Sequence, residues 1–187
     1  MLTNERIRRT QLIREAEGYL DLIGSFQNQW TLDESLCRPL AERALESLNQ
    51  IQSPQGFKPQ ILFLKGEAHR ILGHFAQAVN LFEQSLRIDP ENLPTFWSLA
   101  VCYRRLEQTE SSVEVMRAAI VADAENATNH YELARYMALL SDVRAASRHL
   151  AVSIDLDPRL RDTAVTDPDF DGIRDQSEFQ AVLSITV

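Results

Sequence analysis

The segment Asp167–Glu178 is the part of the sequence whose residue types and spacing best fit a defined chemistry. It reads DPDFDGIRDQSE, with acidic side chains at alternate positions of its first half and a glycine at the sixth position. Calcium takes roughly six to eight oxygen ligands, and loops with this spacing supply them around such a glycine. The predicted ligands are Asp167, Asp169, Asp171, the carbonyl oxygen of Ile173, Asp175 through a water molecule, and Glu178.

Three features of this segment favour a structural role over calcium binding. Arg174 stands where such loops carry an aliphatic residue, Pro168 is unusual within them, and the sequence holds no second loop to pair with the first. We therefore expect the segment to close the fold as an acidic cap, and calcium binding is the alternative.

Catalytic and metal-binding patterns are otherwise missing from the sequence. The histidines and cysteines are scattered, and no paired Cys or His has metal-ligand spacing. There is no glycine-rich phosphate loop. The scattered residues are His69, His74, His130, His149, Cys37 and Cys102. We expect a protein that is not an enzyme and that holds no cofactor.

Composition narrows the class of partner and the compartment. The 187 residues are 44% hydrophobic and 25% charged, with a net charge of -8 and lysine only at positions 58 and 65. A globular protein of this charge is not expected to bind nucleic acid. The opening is polar and no stretch approaches the length of an apolar membrane span. We expect a cytoplasmic protein that does not bind membranes.

A repeat of 34 residues organises the middle of the chain, in three segments that align without gaps: 59–92, 93–126 and 127–160. Aligned columns hold apolar or small residues, for example Gly66, Ala100 and Ala134. Within the first segment, apolar residues follow helical spacing, are interrupted at Gly73, and resume from Phe75. Each segment is thus predicted to form two short amphipathic helices that gain stability by stacking on their neighbours. Asn92, Asn126, and Ser141 followed by Asp142 mark predicted helix starts.

These segments resemble the tetratricopeptide repeat family. The first copy carries the signature in Leu62, Gly66, Gly73, Phe75, Ala78, Phe82 and Pro90. It departs from the pattern at Lys65 and His69, and the second copy departs at Ala124. The resemblance implies an all-α fold, an α-solenoid of antiparallel helix pairs, and a noncatalytic role in protein interaction.

The flanks of the repeats are predicted to be helical. Residues 1–55 are expected to form a degenerate repeat with an insertion: a helix over 4–27 and a second helix from the capping box at Thr31 to about Gln52, kinked or split at Pro39. Residues 53–56 form the predicted linker. Residues 161–187 are expected to form an acidic loop and a C-terminal capping helix, as in tails that close many bacterial repeat arrays. Phe170, Phe179, Val182 and Leu183 are its predicted packing residues.

The resemblance also implies a concave groove lined by the first helix of each pair. The predicted groove residues are Phe63, Glu67, Arg70, Trp97, Val101, Arg104, Arg105, Tyr131 and Arg135. An aromatic row beside arginines would suit a peptide with an apolar anchor and acidic neighbours, because guanidinium groups pair with carboxylates bidentately. The carboxylate clamp by which some relatives bind heat-shock chaperones is disfavoured, since its columns carry Phe63, Glu67, Ser98, Thr128 and Glu132. Self-assembly through apolar end faces is a further alternative.

Overall fold

The fold is seen in a computed structural model that describes residues 2–27, 34–52 and 58–184. Every regular element in those ranges is a helix. The helices are α1 (Leu2–Gln27), α2 (Glu34–Asn49), α3 (Lys58–Ile71), α4 (Phe75–Leu86), α5 (Leu93–Arg105), α6 (Thr109–Ala122), α7 (Ala127–Leu139), α8 (Val143–Leu156), α9 (Leu160–Thr166), a 3-10 helix (Pro168–Ile173) and α10 (Ser177–Ser184). The capping box residues 31–33 and the predicted linker 53–56 lie outside the described residues.

The chain divides into two compact units, residues 1–102 and 103–187. The division falls inside α5 and not at an edge of a predicted repeat. Stacked repeats contact their neighbours in much the same way along the chain, so sequence repeats need not coincide with compact units. The domain boundaries given by the sequence therefore stay predictions.

In the first unit, α1 packs on α2, and both contact α3. Ala16 and Ile23 of α1 are buried with Ala41, Ala44 and Leu48 of α2. Ile7, near the N-terminal end of α1, is 51% exposed and lies outside this core. Because α1 has 26 residues and α2 has 16, the N-terminal turns of α1 extend beyond this partner.

Proline 39 does not split α2. The helix runs without a break from Glu34 to Asn49 with Pro39 inside it. Proline removes one backbone hydrogen bond and its ring crowds the carbonyl four residues earlier. The described part of α2 nevertheless continues through Pro39 to Asn49, so the expectation of a split helix was wrong.

Close approach of α3 and α4 depends on the absence of a side chain at Gly66. A Cβ atom built there would lie 2.5 Å from Cε1 of Phe82, whose side chain is fully buried. Phe82 also packs against Phe63, with ring centroids 6.0 Å apart. The missing side chain of Gly66 therefore lets the two helices meet at this point.

The turns after α3, α5 and α7 repeat the same geometry at 34-residue intervals. Gly73, Glu107 and Ser141 have φ angles of 77°, 61° and 60°. In each turn the following N–H donates to a carbonyl five residues earlier, for example from His74 to His69 at 2.8 Å. This is the pattern of a Schellman cap, for which glycine is the usual residue because it adopts positive φ at low cost. The period read from the sequence is therefore present in the backbone.

In the second unit, α7 packs on α6 and α8, α10 packs on α8, and the 3-10 helix lies on α7. Side-chain caps fix two of the helix starts. Asn126 accepts hydrogen bonds from the backbone N–H groups of Thr128 and Asn129, and Asp142 accepts one from Ala145. Both predicted starts are confirmed. The closing segment is more structured than the predicted loop, since α9 and the 3-10 helix precede α10.

Candidate functional site

The predicted groove residues of the first unit lie on α3 and α5, and all of them are half-buried. They are Phe63, Glu67, Arg70, Trp97 and Val101. On α3, the Arg70 guanidinium binds the carboxylate of Glu67 one turn away, with Nη2 and Oε2 2.7 Å apart. The charge of Arg70 is thus already balanced within its own helix.

Cysteine 102, one of the scattered residues of the sequence, is packed in the interior. Its side chain is fully buried, and burial raises the pKa of the thiol to about 12. Since the thiolate is the reactive form, this cysteine is inert near neutral pH.

In the second unit, Arg104 and Arg135 converge on the carboxylate of Asp169. Arg104 donates from Nη1 to Oδ2 of Asp169 at 2.8 Å, and its Nη2 donates to Oδ1. Arg135 donates from Nε to Oδ2 of Asp169 at 2.9 Å. Asp169 is only 7% exposed, so two guanidinium groups hold one buried carboxylate.

Asp167 is bound beside Asp169 by a second set of donors. The hydroxyl of Tyr131 donates to its Oδ2 at 2.9 Å, and Nε of Arg135 lies 3.2 Å from the same oxygen. Its other oxygen accepts the backbone N–H of Asp169 at 3.0 Å, which starts the 3-10 helix. The two carboxylates therefore lie together against α7.

Phe170, the residue after Asp169, packs against the repeat with its ring. It is fully buried, and its ring meets that of Tyr131 edge-on, with centroids 5.8 Å apart. On its other side it packs against Phe179 of α10, at 5.1 Å. Such tilted aromatic pairs are favourable beyond the area they bury. The prediction that Phe170 and Phe179 pack on the last repeat is confirmed, and Val182 and Leu183 are half-buried.

We call this set of residues the tail clamp. Its members are Arg104, Tyr131, Glu132 and Arg135 on the helices, and Asp167, Asp169 and Phe170 in the tail. Sequence reasoning placed the three helix residues Arg104, Tyr131 and Arg135 on a binding surface, and it placed the three tail residues in a cap. It did not connect the two groups, although eight acidic residues against three arginines in 155–178 were a signal of charge complementarity.

Burial strengthens the electrostatics of the tail clamp. Burial raises the pKa of the Tyr131 hydroxyl, and its hydrogen bond to Asp167 raises it further, so the group stays a proton donor. Burial alone would lower the pKa of Arg135, but the carboxylates of Glu132, Asp169 and Asp167 raise it by more. Arg135 also donates to Glu132 at 2.7 Å. The guanidinium is therefore fixed in its charged form against three acids.

Hydrogen bonds within the chain engage three of the five acidic side chains of the predicted calcium loop. Asp167 and Asp169 are bound by the tail clamp, and Asp171 accepts from Arg174 at 2.6 Å. Arg174 also donates to the carbonyl oxygens of Val165 and Asp167. Within the described residues, no group of three or more His, Cys, Asp or Glu side chains is placed to hold a metal ion. The calcium alternative gains no support from this geometry.

Three remaining features bear on the other expectations. Arg105, the last predicted groove residue, lies exposed at the end of α5. In the part of the chain that the structure describes, no helix has both the length and the apolar character needed to cross a membrane. At the C-terminal end, α10 covers α8, so stacking of a bare end face gains no support there.

Comparison with known proteins identifies the class of the chain. Residues 59–92 match the family described as "Tetratricopeptide repeat". No curated protein matches the chain. The match and the repeated helix pairs confirm the resemblance stated from the sequence: residues 59–92 match a tetratricopeptide repeat, and the described helices have the all-α helix-pair arrangement of that fold.

Solved structures of several tetratricopeptide-repeat proteins resemble the fold over two thirds of the chain or more. MamA AMB-1 aligns with a TM-score of 0.68 at 15% identity, over 98% of this chain and 88% of that one. TTC0263, a protein of Thermus thermophilus, aligns with a TM-score of 0.58 at 20% identity, over 78% and 77%. The first TPR of Spaghetti (RPAP3), bound to the HSP90 peptide SRMEEVD, aligns with a TM-score of 0.52 at 15% identity, over 67% and 90%. At these identities the comparison establishes the fold.

Proposed function

We propose that the chain is a noncatalytic protein-interaction module that holds a peptide or helix of a partner on the first helices of its repeats. In the first unit the proposed contact residues lie on α3 and α5, with Trp97 and Val101 on the latter. In the second unit they lie at the end of α5 and on α7. The fold supports protein interaction in general, because tetratricopeptide helix pairs present side chains without assembling a catalytic group.

The tail clamp is the observation that carries this proposal. Arg104 and Arg135 hold one carboxylate, and the ring of Tyr131 meets an inserted phenylalanine. These are the contacts that an acidic peptide with an apolar anchor would require, and here a segment of the same chain makes them. The helix surface of the second unit is therefore suited to that class of ligand.

The similar structure that was solved with a peptide supports an acidic peptide as the class of partner. The first TPR of Spaghetti was solved with a short peptide containing two adjacent glutamates and a terminal aspartate. We do not propose that this chain binds a heat-shock chaperone, because Glu67 and Glu132 stand in columns where a terminal carboxylate would meet repulsion. A different acidic peptide is the proposed partner class.

Affinity capture with matched variants tests the general function. Wild-type protein, Trp97→Ala and a control variant, Val121→Ala, are each used as bait in lysate of the native cells. Trp97 is a half-buried residue of a first helix, whereas Val121 lies on α6, a second helix, and is 88% exposed. We expect a partner that wild type and Val121→Ala retain equally and that Trp97→Ala loses at least tenfold.

Thermal melting of the three baits must be compared first, so that a lost partner reflects a lost contact. Equal retention of every captured protein by the folded Trp97→Ala variant would contradict the proposed surface. Because Trp97 is not a member of the tail clamp, this result does not depend on the state of the tail.

A further inference from the structure

We propose that residues 167–170 are a tethered ligand, which occupies on α7 the site for a partner peptide that carries two acidic residues and an aromatic anchor. Binding of that partner therefore requires release of the chain's own tail. This inference rests on the proposed function and adds to it the chemistry of the partner and a means of regulation.

The occupant defines the ligand chemistry. Asp167 and Asp169 flank a proline, and the next residue, Phe170, supplies the buried ring. All three side chains have contacts on the helices: Asp167 with Tyr131 and Arg135, Asp169 with Arg104 and Arg135, and the ring of Phe170 with that of Tyr131. A partner segment of the form acid-x-acid-aromatic would fit the same positions.

The contacts of the tail are divided between two surfaces. The 3-10 helix Pro168–Ile173 lies on α7, whereas α10 packs on α8. The two acids belong to the first contact alone, whereas Phe170 also packs against Phe179 of α10 at 5.1 Å. Release of residues 167–170 therefore breaks this ring contact, while the packing of α10 on α8 is a separate contact that can stay closed, as expected of short segments held by a few side chains.

A free acidic peptide can compete with the tethered tail for the two arginines of the first contact. The side chains of Arg104 and Arg135 are 36% and 24% exposed, so both can be reached by an incoming carboxylate. A segment tethered by a short linker has an effective concentration on the order of millimolar, so a free peptide of equal intrinsic affinity competes weakly. Weakening the tethered copy should therefore raise the apparent affinity for the free one.

Titration of the full-length chain with its own tail segment tests this inference. The probe is a fluorescent synthetic peptide with the sequence of residues 165–176, VTDPDFDGIRDQ. Asp169→Lys places a third cation beside the two arginines and should expel the tethered copy. Asp171→Lys changes the net charge equally but alters a carboxylate that is 67% exposed and binds Arg174, outside the tail clamp.

We expect Asp169→Lys to bind the peptide at least tenfold more tightly than wild type and Asp171→Lys. Adding Arg135→Gln to Asp169→Lys should remove this gain in affinity. A peptide in which the residues equivalent to Asp167 and Asp169 are changed to asparagine should not bind. Equal affinities for the three proteins would overturn the inference. Tail amides that stay protected from hydrogen exchange in Asp169→Lys would also overturn it, because the segment would then be a fixed cap.

The wild-type chain provides a test that no folding defect can obscure. Isotopically labelled peptide is added in millimolar excess, and hydrogen exchange of the chain's own tail is followed by mass spectrometry. Faster exchange confined to residues 167–173 is the expected result, and unchanged exchange would overturn the inference.

Light scattering measures whether the site is instead occupied by the tail of a second copy of the chain. A dimer that exchanges tails would assign the site to another copy of the chain and overturn the assignment to a partner. Loss of tail competition with retained capture through Trp97 would leave the proposed function standing.

Discussion

Substitution of Asp169 by asparagine should be among the most damaging single-atom changes in the second unit. The carboxylate is 7% exposed and accepts hydrogen bonds from both Arg104 and Arg135. Asparagine keeps the shape of the side chain, but it removes the negative charge and turns one acceptor into a donor that faces a guanidinium group. The two arginines are then left beside each other without their shared counter-ion.

The size of the effect follows from the exposure of the partners. Breaking a buried ion pair costs about 3 to 5 kcal/mol when the remaining charge is fully buried. Here the remaining charges are 36% and 24% exposed, so water recovers part of the loss. We expect the free energy of unfolding to fall by about 2 to 3 kcal/mol. Asp171→Asn removes an exposed pair with Arg174 and should cost less than about 0.5 kcal/mol.

Urea unfolding followed by circular dichroism measures both variants against wild type. The slope of the transition should be unchanged if the folded ensemble keeps the same buried surface. Raising the salt concentration should narrow the gap between the two variants only slightly, because buried pairs are screened less than exposed ones. If Asp169→Asn were as stable as Asp171→Asn, Asp169 would contribute no more than a surface charge, and the reasoning would fail.

Two further predictions concern packing and pH. Gly66→Ala should cost about 1 to 3 kcal/mol in urea unfolding, because its Cβ would lie 2.5 Å from Phe82, whereas Gly18→Ala meets open space and should be neutral or stabilising; equal effects of the two would contradict the packing argument. Burial, then His130 and two nearby arginines, lowers the pKa of His149 to about 4, so the folded state favours the neutral ring. This contribution is full above the unfolded pKa near 6.5 and is lost as pH falls toward about 4. The contribution of His149 to the free energy of unfolding should be about 1 to 2 kcal/mol after a discount for solvent screening. His149→Gln should therefore flatten the dependence of stability on pH between those values. A dependence as steep as that of wild type would contradict the assignment of this effect to His149.

Local signals made much of the fold predictable. The 34-residue period depends on contacts within a helix pair and between neighbouring pairs, so it leaves a regular trace of small and apolar residues. Asn126 and Asp142 were recognisable because a cap acts on N–H groups two or three residues away. Gly66 was recognisable because its column stays small in each repeat. The split expected at Pro39 is absent because a proline removes one backbone hydrogen bond, whereas α2 keeps its other bonds and its packing on α1 and α3.

The tail clamp was not predictable in the same way. Asp169 meets Arg104 across 65 residues of sequence and Arg135 across 34 residues, and no periodic pattern specifies such a pairing. Sequence reasoning predicted an acidic peptide with an apolar anchor as the ligand, and it also singled out the acidic segment beginning at Asp167. Only the three-dimensional course of α9 and the 3-10 helix brings that segment onto α7.

A double-mutant cycle between Asp169 and Arg135 tests the central claim most directly. Asp169→Asn, Arg135→Gln and the combined variant are unfolded in urea beside wild type, and the coupling energy is the departure of the double variant from additivity. If Arg135 holds the tail through the carboxylate of Asp169, the coupling energy between the two residues should be at least about 1.5 kcal/mol. Additive effects, with a coupling indistinguishable from zero, would contradict the claim that this surface of α7 is a carboxylate-binding site occupied by the chain's own tail.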